Sequence, residues 1–122
     1  MTGVQTCALP IFHMQAQSSG PYVRIARLVI DSAQLEAYQA ALKEEIAAAV
    51  KVESGVLRMY AVYDKVHPDQ VTVFETYASR EAYDQHIQTP HFKKYKSGTL
   101  SMVRSLELAD VVPIIFEAKK DQ

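Results

Sequence analysis

Val71-Thr72-Val73-Phe74-Glu75-Thr76-Tyr77-Ala78-Ser79-Arg80-Glu81-Ala82-Tyr83 changes its period in the middle. Up to Tyr77 the β-branched and aromatic residues alternate as a strand requires, with Val71, Val73, Glu75 and Tyr77 sharing one face. From Ser79, with Glu81 in the first turn, Ala82, Tyr83 and Ile87 fall at helical spacing. Upstream, Val56 to Tyr63 is a second strand, joined to the first through Asp64 to Gln70 with His67-Pro68-Asp69 as the turn, so the two predict a hairpin. Further upstream, Tyr22 to Ile30 reads as a strand ending at Asp31. Asp31 with Gln34 resembles a capping box, and Leu35, Tyr38, Leu42, Ile46 and Ala49-Val50 then form one apolar stripe, with Gln39, Lys43, Glu44 and Lys51 on other faces. Gly55 reads as the stop of this helix through a positive φ. Downstream, Thr89-Pro90 fits an N-cap and N1 pair that interrupts the second helical segment before it resumes from His91 to about Met102. Arg104 to Val112 is the fourth strand.

The order β-α-β-β-α-β with right-handed crossovers predicts an α+β, ferredoxin-like fold, a four-stranded antiparallel sheet with its helices on one face. Alternation then leaves Ile25, Val29, Met59, Val73 or their neighbours on the bare face. A bare apolar face calls for a cover, and the expected cover is a second copy in a homodimer.

Composition narrows the function. The chain has 122 residues, a formal net charge of -1, 48% hydrophobic and 22% charged residues, which describes one globular domain rather than a disordered chain. No basic stripe exists to neutralise phosphates and no Gly-rich loop to cradle them, which argues against nucleic acid and nucleotide partners. Cys7 is the only cysteine, so an intramolecular disulfide and a thiolate zinc cluster are excluded. No apolar run is long enough for a membrane span.

Residues 1–20 stand apart, because every Lys, Arg, Asp and Glu falls from Arg24 onward. Thr2-Gly3-Val4-Gln5-Thr6-Cys7-Ala8-Leu9-Pro10-Ile11 resembles a translated sequencing adapter, and residues 1–20 are expected to be non-native or disordered. Met14 to Pro21 resembles the small-polar stretch around a signal cleavage site. An adapter in place of a native signal peptide leaves both cytoplasm and periplasm open. The folded domain is expected over 21–113, with 114–122 as a C-terminal tail.

Glu53-Ser54-Gly55-Val56-Leu57, Tyr60, the run Phe74 to Tyr83, His86 and Thr89-Pro90-His91-Phe92 together resemble the antibiotic-biosynthesis monooxygenase family over about residues 22–112. The style is that of its small quinol monooxygenase-like members, which share E-x-G-x-L, E-x-Y and H-x-x-T-P-H-F elements at these separations. The resemblance implies a dimeric α/β barrel in which two sheets pack face to face, with a pocket in each protomer between sheet and helices. It also implies oxygenation of a small aromatic, phenolic or quinol compound by dioxygen without metal, flavin or haem. The haem-degrading branch carries a histidine ligand a short way into the last helix, whereas Lys93-Lys94-Tyr95-Lys96-Ser97 contains none, which disfavours that activity.

The residues have a chemistry of their own. A deprotonated phenol or hydroquinone can give an electron to dioxygen directly, so the protein need supply an apolar cavity, a base and donors for the developing anion. Glu75 is a carboxylate in an apolar row, where burial raises its pKa; its structural alternative is a pair with Arg58. His86 and His91 flank the Pro90 break and are candidate bases. Their bland alternatives are a half-buried ring bonded to a carbonyl for His86 and a polar residue near the Thr89 cap for His91. Glu53 reads as a loop carboxylate beside a helix stop, and His67 as solvated. Glu75, His86 and His91 are therefore the catalytic candidates, with Tyr60, Phe74, Tyr77, Tyr83, Phe92 and Tyr95 lining the substrate pocket. The five-residue spacing of the histidines, without a cysteine or nearby carboxylate in a ligand pattern, predicts no metal, and no organic cofactor is expected. The alternatives to a monooxygenase are an isomerase of a small (phospho)hydroxyketone signalling molecule and a non-catalytic ligand-binding dimer.

Overall fold

The computed structural model describes residues 20–120, so the adapter-like stretch, Cys7 and His13 lie outside it. The elements are β1 (Tyr22–Ile30), a 3-10 turn (Ser32–Gln34), α1 (Leu35–Val52), β2 (Val56–Tyr63), β3 (Gln70–Tyr77), α2 (Arg80–His86), α3 (Pro90–Thr99) and β4 (Val103–Val111). The strands lie in the order β2-β3-β1-β4, every neighbouring pair antiparallel. This is the ferredoxin-like α+β arrangement.

Local chemistry sets the helix starts. Ser79 Oγ accepts from Ala82 N, and Thr89 Oγ1 accepts from Phe92 N with Pro90 in the first turn. Asp31 accepts from Ala33 N and from the Gln34 side chain, but this cap closes the 3-10 turn and α1 proper begins at Leu35. α3 stops at Thr99, short of Met102, because Met102 N turns back to Thr99 O.

Register decides which face is which. Ala26 opposes Val73, Leu28 opposes Val71, and Ala61 opposes Val73 from the other side. Opposed residues share a face, so these side chains point together at the helices and form the core with Ile30 and Tyr38. The other face carries Ile25 opposite Phe74 opposite Tyr60, and Val62 opposite Thr72 opposite Arg27. Ile25 and Val29 are thus on the bare face, whereas Val73 is buried at 4% exposure and Met59 packs beneath the helices. Tyr60, Val62 and Phe74 are exposed on the bare face. The C-terminal tail crosses near it, with the Arg58 guanidinium 3.8 Å from the Phe116 ring centroid. Arg58 therefore does not reach Glu75.

Gly55 is required for a different reason than a positive φ, which it does not adopt. A Cβ at this position would sit 2.6 Å from the Ala82 Cβ, so the start of β2 and α2 approach more closely than any side chain allows. Gly55 O also accepts from Ala78 N, fixing the approach. Gly55→Ala is expected to destabilise the fold by about 1–3 kcal/mol, the usual cost of overpacking. Denaturant unfolding checks this, and Ala82→Gly in the same chain should recover part of the loss.

Candidate active site

A cavity of about 360 Å³ lies between the sheet and the helices. Its sheet wall is Arg24, Ala26 and Leu28 of β1, Met59 of β2, Val73, Glu75 and Tyr77 of β3, and Leu106 and Leu108 of β4. Its helix wall includes Leu42, Glu45 and Ile46 of α1, Tyr83 and His86 of α2, and Phe92, Tyr95 and Thr99 of α3. Mostly apolar walls with a few convergent polar groups are the general character of a small-molecule site.

Two of the three catalytic candidates open directly into it. Glu75 accepts a 2.7 Å hydrogen bond from Tyr77 Oη. Burial raises the Glu75 carboxyl above its usual range, and the Tyr77 hydrogen bond only partly offsets this. Burial likewise raises the Tyr77 and Tyr95 phenols, so both remain donors. Tyr95 Oη shares a 2.7 Å hydrogen bond with Tyr38 Oη.

His86 is 2% exposed and lies against carboxylates on both sides. Its Nδ1 is 2.8 Å from Glu53 Oε2, and its Nε2 is 3.2 Å from Glu45 Oε2, the latter an ion-pair contact rather than an aligned hydrogen bond. Both nitrogens can meet carboxylates only if the ring carries two protons or a carboxyl carries one. Burial by itself lowers the His86 pKa, but Glu45 and Glu53 outweigh it and hold the imidazolium above the ordinary histidine value. His91 does not line the cavity; its Nε2 is 2.5 Å from the same Glu53 oxygen. Thr89 fixes the angle between the two histidines, because its hydroxyl donates to His86 O while capping α3.

Of the pocket candidates, Tyr77, Tyr83, Phe92 and Tyr95 line the cavity, whereas Tyr60 and Phe74 do not. Those two point from the opposite sheet face, since Tyr60 opposes Phe74 and Phe74 opposes Ile25. Sequence reasoning missed Glu45 and Arg24 and gave Glu53 a bland role. Glu45 falls between Leu42 and Ala49 at three-and-four spacing, so it belongs to the apolar stripe of α1, and that misfit was its signal. Arg24 shares β1's inward face with Ala26. Its Nε is 3.1 Å from Asp110 Oδ1 but is not aimed at it, and the guanidinium lies 4.7 Å from the Tyr83 ring centroid. Glu45, His86 and His91 also place ligand atoms within 4.8 Å of one another, so these three residues could hold a metal ion.

A family model described as antibiotic biosynthesis monooxygenase matches residues 21–97. The chain belongs to the antibiotic biosynthesis monooxygenase family. A candidate member from Bacteroides thetaiotaomicron is 50% identical over 85% of this chain and 99% of that one, with a TM-score of 0.80. A candidate monooxygenase from Lactobacillus acidophilus is 30% identical over 77% of this chain but only 45% of its own length, with a TM-score of 0.75. A Mycobacterium tuberculosis protein, 23% identical over 81% of this chain and all of its own length, shares the fold at a TM-score of 0.72. No curated protein matches the chain. Among the described residues of this family member no helix is long and apolar enough to cross a membrane.

The buried charges fix a pH dependence. His86 and Glu75 both bind protons more tightly in the folded chain than in the unfolded one, from ordinary values of 6.5 and 4.5. Unfolding free energy therefore falls as pH rises through their folded values, and the His86 share is complete only below its unfolded value. Denaturant unfolding between acidic and mildly alkaline pH should show this fall. His86→Gln should flatten its neutral-to-alkaline part.

Proposed function

We propose that the chain is a cofactor-independent monooxygenase that oxidises a small quinol or phenolic compound with dioxygen in this cavity. The observation that carries the reading is the convergence of Glu75 and His86 in a mostly apolar cavity whose volume, about 360 Å³, suits a compact aromatic molecule. One quinol and one dioxygen give one hydroxyquinone and one water. The substrate supplies all four electrons, so no external reductant enters the balance. The protein's task is to bind the ring, take a hydroxyl proton and stabilise the anion. Glu75 or the His86 cluster serves as base, the Tyr77 and Tyr95 phenols position the substrate, and Arg24 offsets the developing negative charge.

Oxygen uptake with a panel of quinols and phenols tests the reading. His86→Ala is expected to lower turnover by about two orders of magnitude or more, with Glu75→Gln and His91→Ala as the companion variants and circular dichroism confirming the fold. Full activity in all three variants would remove the site, and a stoichiometric metal that activity requires would remove the cofactor-free mechanism.

We further infer a homodimer closed over the bare sheet face. Tyr60, Val62 and Phe74 are 67%, 43% and 45% exposed there, and Phe116 of the tail lies against Arg58 at its edge. An obligate interface of this kind buries on the order of 2,000 Å² or more. Light scattering is expected to show a dimer at micromolar concentration; a stable folded monomer would exclude it.

A further inference from the structure

Arg24 stands between two carboxylates and donates an aligned hydrogen bond to neither. In register it opposes Glu75 of β3 and Asp110 of β4, so all three side chains share the inward face. Glu75 Oε1 accepts instead from Tyr77 Oη at 2.7 Å. Asp110 Oδ1 accepts from Tyr22 Oη at 3.0 Å; Arg24 Nε is 3.1 Å from the same oxygen but has no hydrogen-bond partner among the described residues. The guanidinium is held by aromatic rings, its carbon lying 4.7 Å from the Tyr83 ring centroid and 5.9 Å from that of Tyr22. Nε is enclosed, so the 13% of the side chain that stays accessible belongs to its other atoms, and Arg24 lines the cavity. A cation taken out of most of its water without an aligned acid is costly unless a ligand brings the anion. The remaining charges favour the same sign. Lys96 of α3 and Arg104 of β4 also line the cavity, Arg104 paired with Asp31. The cavity's own carboxylates are engaged, Glu45 beside His86 and Glu75 with Tyr77. Ala26 and Leu108, the next inward pair along β1 and β4, give an apolar surface for a ring.

We propose that the substrate is an aromatic acid and that Arg24 is the specificity-determining residue that holds its carboxylate. The proposal rests on the oxygenation reading and names its substrate class, a phenol or quinol with a carboxylate on the ring. A planar guanidinium meets a carboxylate through two parallel N–H···O bonds, and the terminal amino groups supply them without the enclosed Nε. The donors left over still face the charge that develops on the substrate hydroxyl. A carboxylate suits the position better than a phosphate, because Asp110 and Glu75 flank the guanidinium and repel a dianion more strongly. Burial makes Glu75 hold its proton more tightly than usual, which weakens its opposition to a monoanion.

Calorimetry under nitrogen, where no oxygenation can occur, measures binding of para-hydroxybenzoate, para-hydroxybenzamide and para-hydroxyphenyl phosphate to the full chain. The benzoate is expected to bind the parent about 10-fold or more tightly than the uncharged amide. Arg24→Gln is expected to abolish that preference, and Arg24→Lys, which keeps a point charge without the planar fork, to retain part of it. Circular dichroism checks the fold of both variants, and the comparison of ligands on the parent needs neither. Equal binding of benzoate and amide to the parent, binding of neither, or a preference that survives Arg24→Gln overturns the proposal. Tighter binding of the phosphate than of the benzoate overturns the carboxylate assignment. Oxygen uptake with hydroquinone and with its ring-carboxylated form then separates the site from the reaction. The acid is expected to have the lower KM, and Arg24→Gln to raise that KM by about 10-fold while raising the hydroquinone KM less. An Arg24-dependent preference in binding with no oxygen uptake on either compound defeats the oxygenation reading and leaves the aromatic-acid site standing. Uptake on hydroquinone with no preference for the acid leaves that reading standing and defeats the site.

Discussion

The His86 ring sits between Glu45 in the middle of α1 and Glu53 at the end of that helix, and the placement of the site depends on this contact. Two carboxylates spaced along one helix clasp a single imidazole from α2, and Glu53 extends the clasp to His91 of α3. Buried charges tolerate removal from water only when paired, so this cluster permits one relative arrangement of the three helices. The Thr89 cap and the close approach of Gly55 to Ala82 reinforce it from the backbone side. The cavity is the space that remains once the helices are so fixed over the sheet.

The sheet has two faces with different work. The face carrying Ala26, Leu28, Val73 and Tyr77 supplies core and cavity wall, and its polar exceptions, Arg24 and Glu75, gather at one end of β1 and β3 opposite His86. The face carrying Ile25, Tyr60, Val62 and Phe74 also carries Arg27, Arg58 and Thr72, and its large side chains Tyr60, Val62 and Phe74 stay exposed. A single residue of register shift would exchange these two sets, so the pairing of Ala26 with Val73 and of Tyr60 with Phe74 determines both where a substrate fits and which surface a second copy would meet.

The ionisable groups around the cavity are shifted by opposing effects. Burial disfavours charge on Glu75 and on the Tyr77 and Tyr95 phenols, leaving proton donors and a weakly acidic carboxyl near the apolar walls. At His86 two carboxylates overcome the same burial and favour the cation. Both groups thus hold their protons more tightly than usual beside one cavity, Glu75 through burial and His86 through its paired carboxylates.

The sequence by itself determined the element order, the helix caps at Ser79 and Thr89, and the inward row of Val71, Val73, Glu75 and Tyr77. These follow from period and local hydrogen bonding, which act over a few residues. It also marked His86 and His91, because a Pro-broken helix is visible locally. Only the tertiary structure decided that Tyr60 and Phe74 face away from the cavity, since a face is assigned by strand pairing and not by alternation alone. Only it showed that Gly55 serves a close contact with Ala82 rather than a left-handed turn. Glu45 and Glu53 acquired their roles in the same way. Each lies more than 30 residues from His86 in sequence, and the attraction that joins them exists only after the sheet has brought α1 and α2 onto the same face.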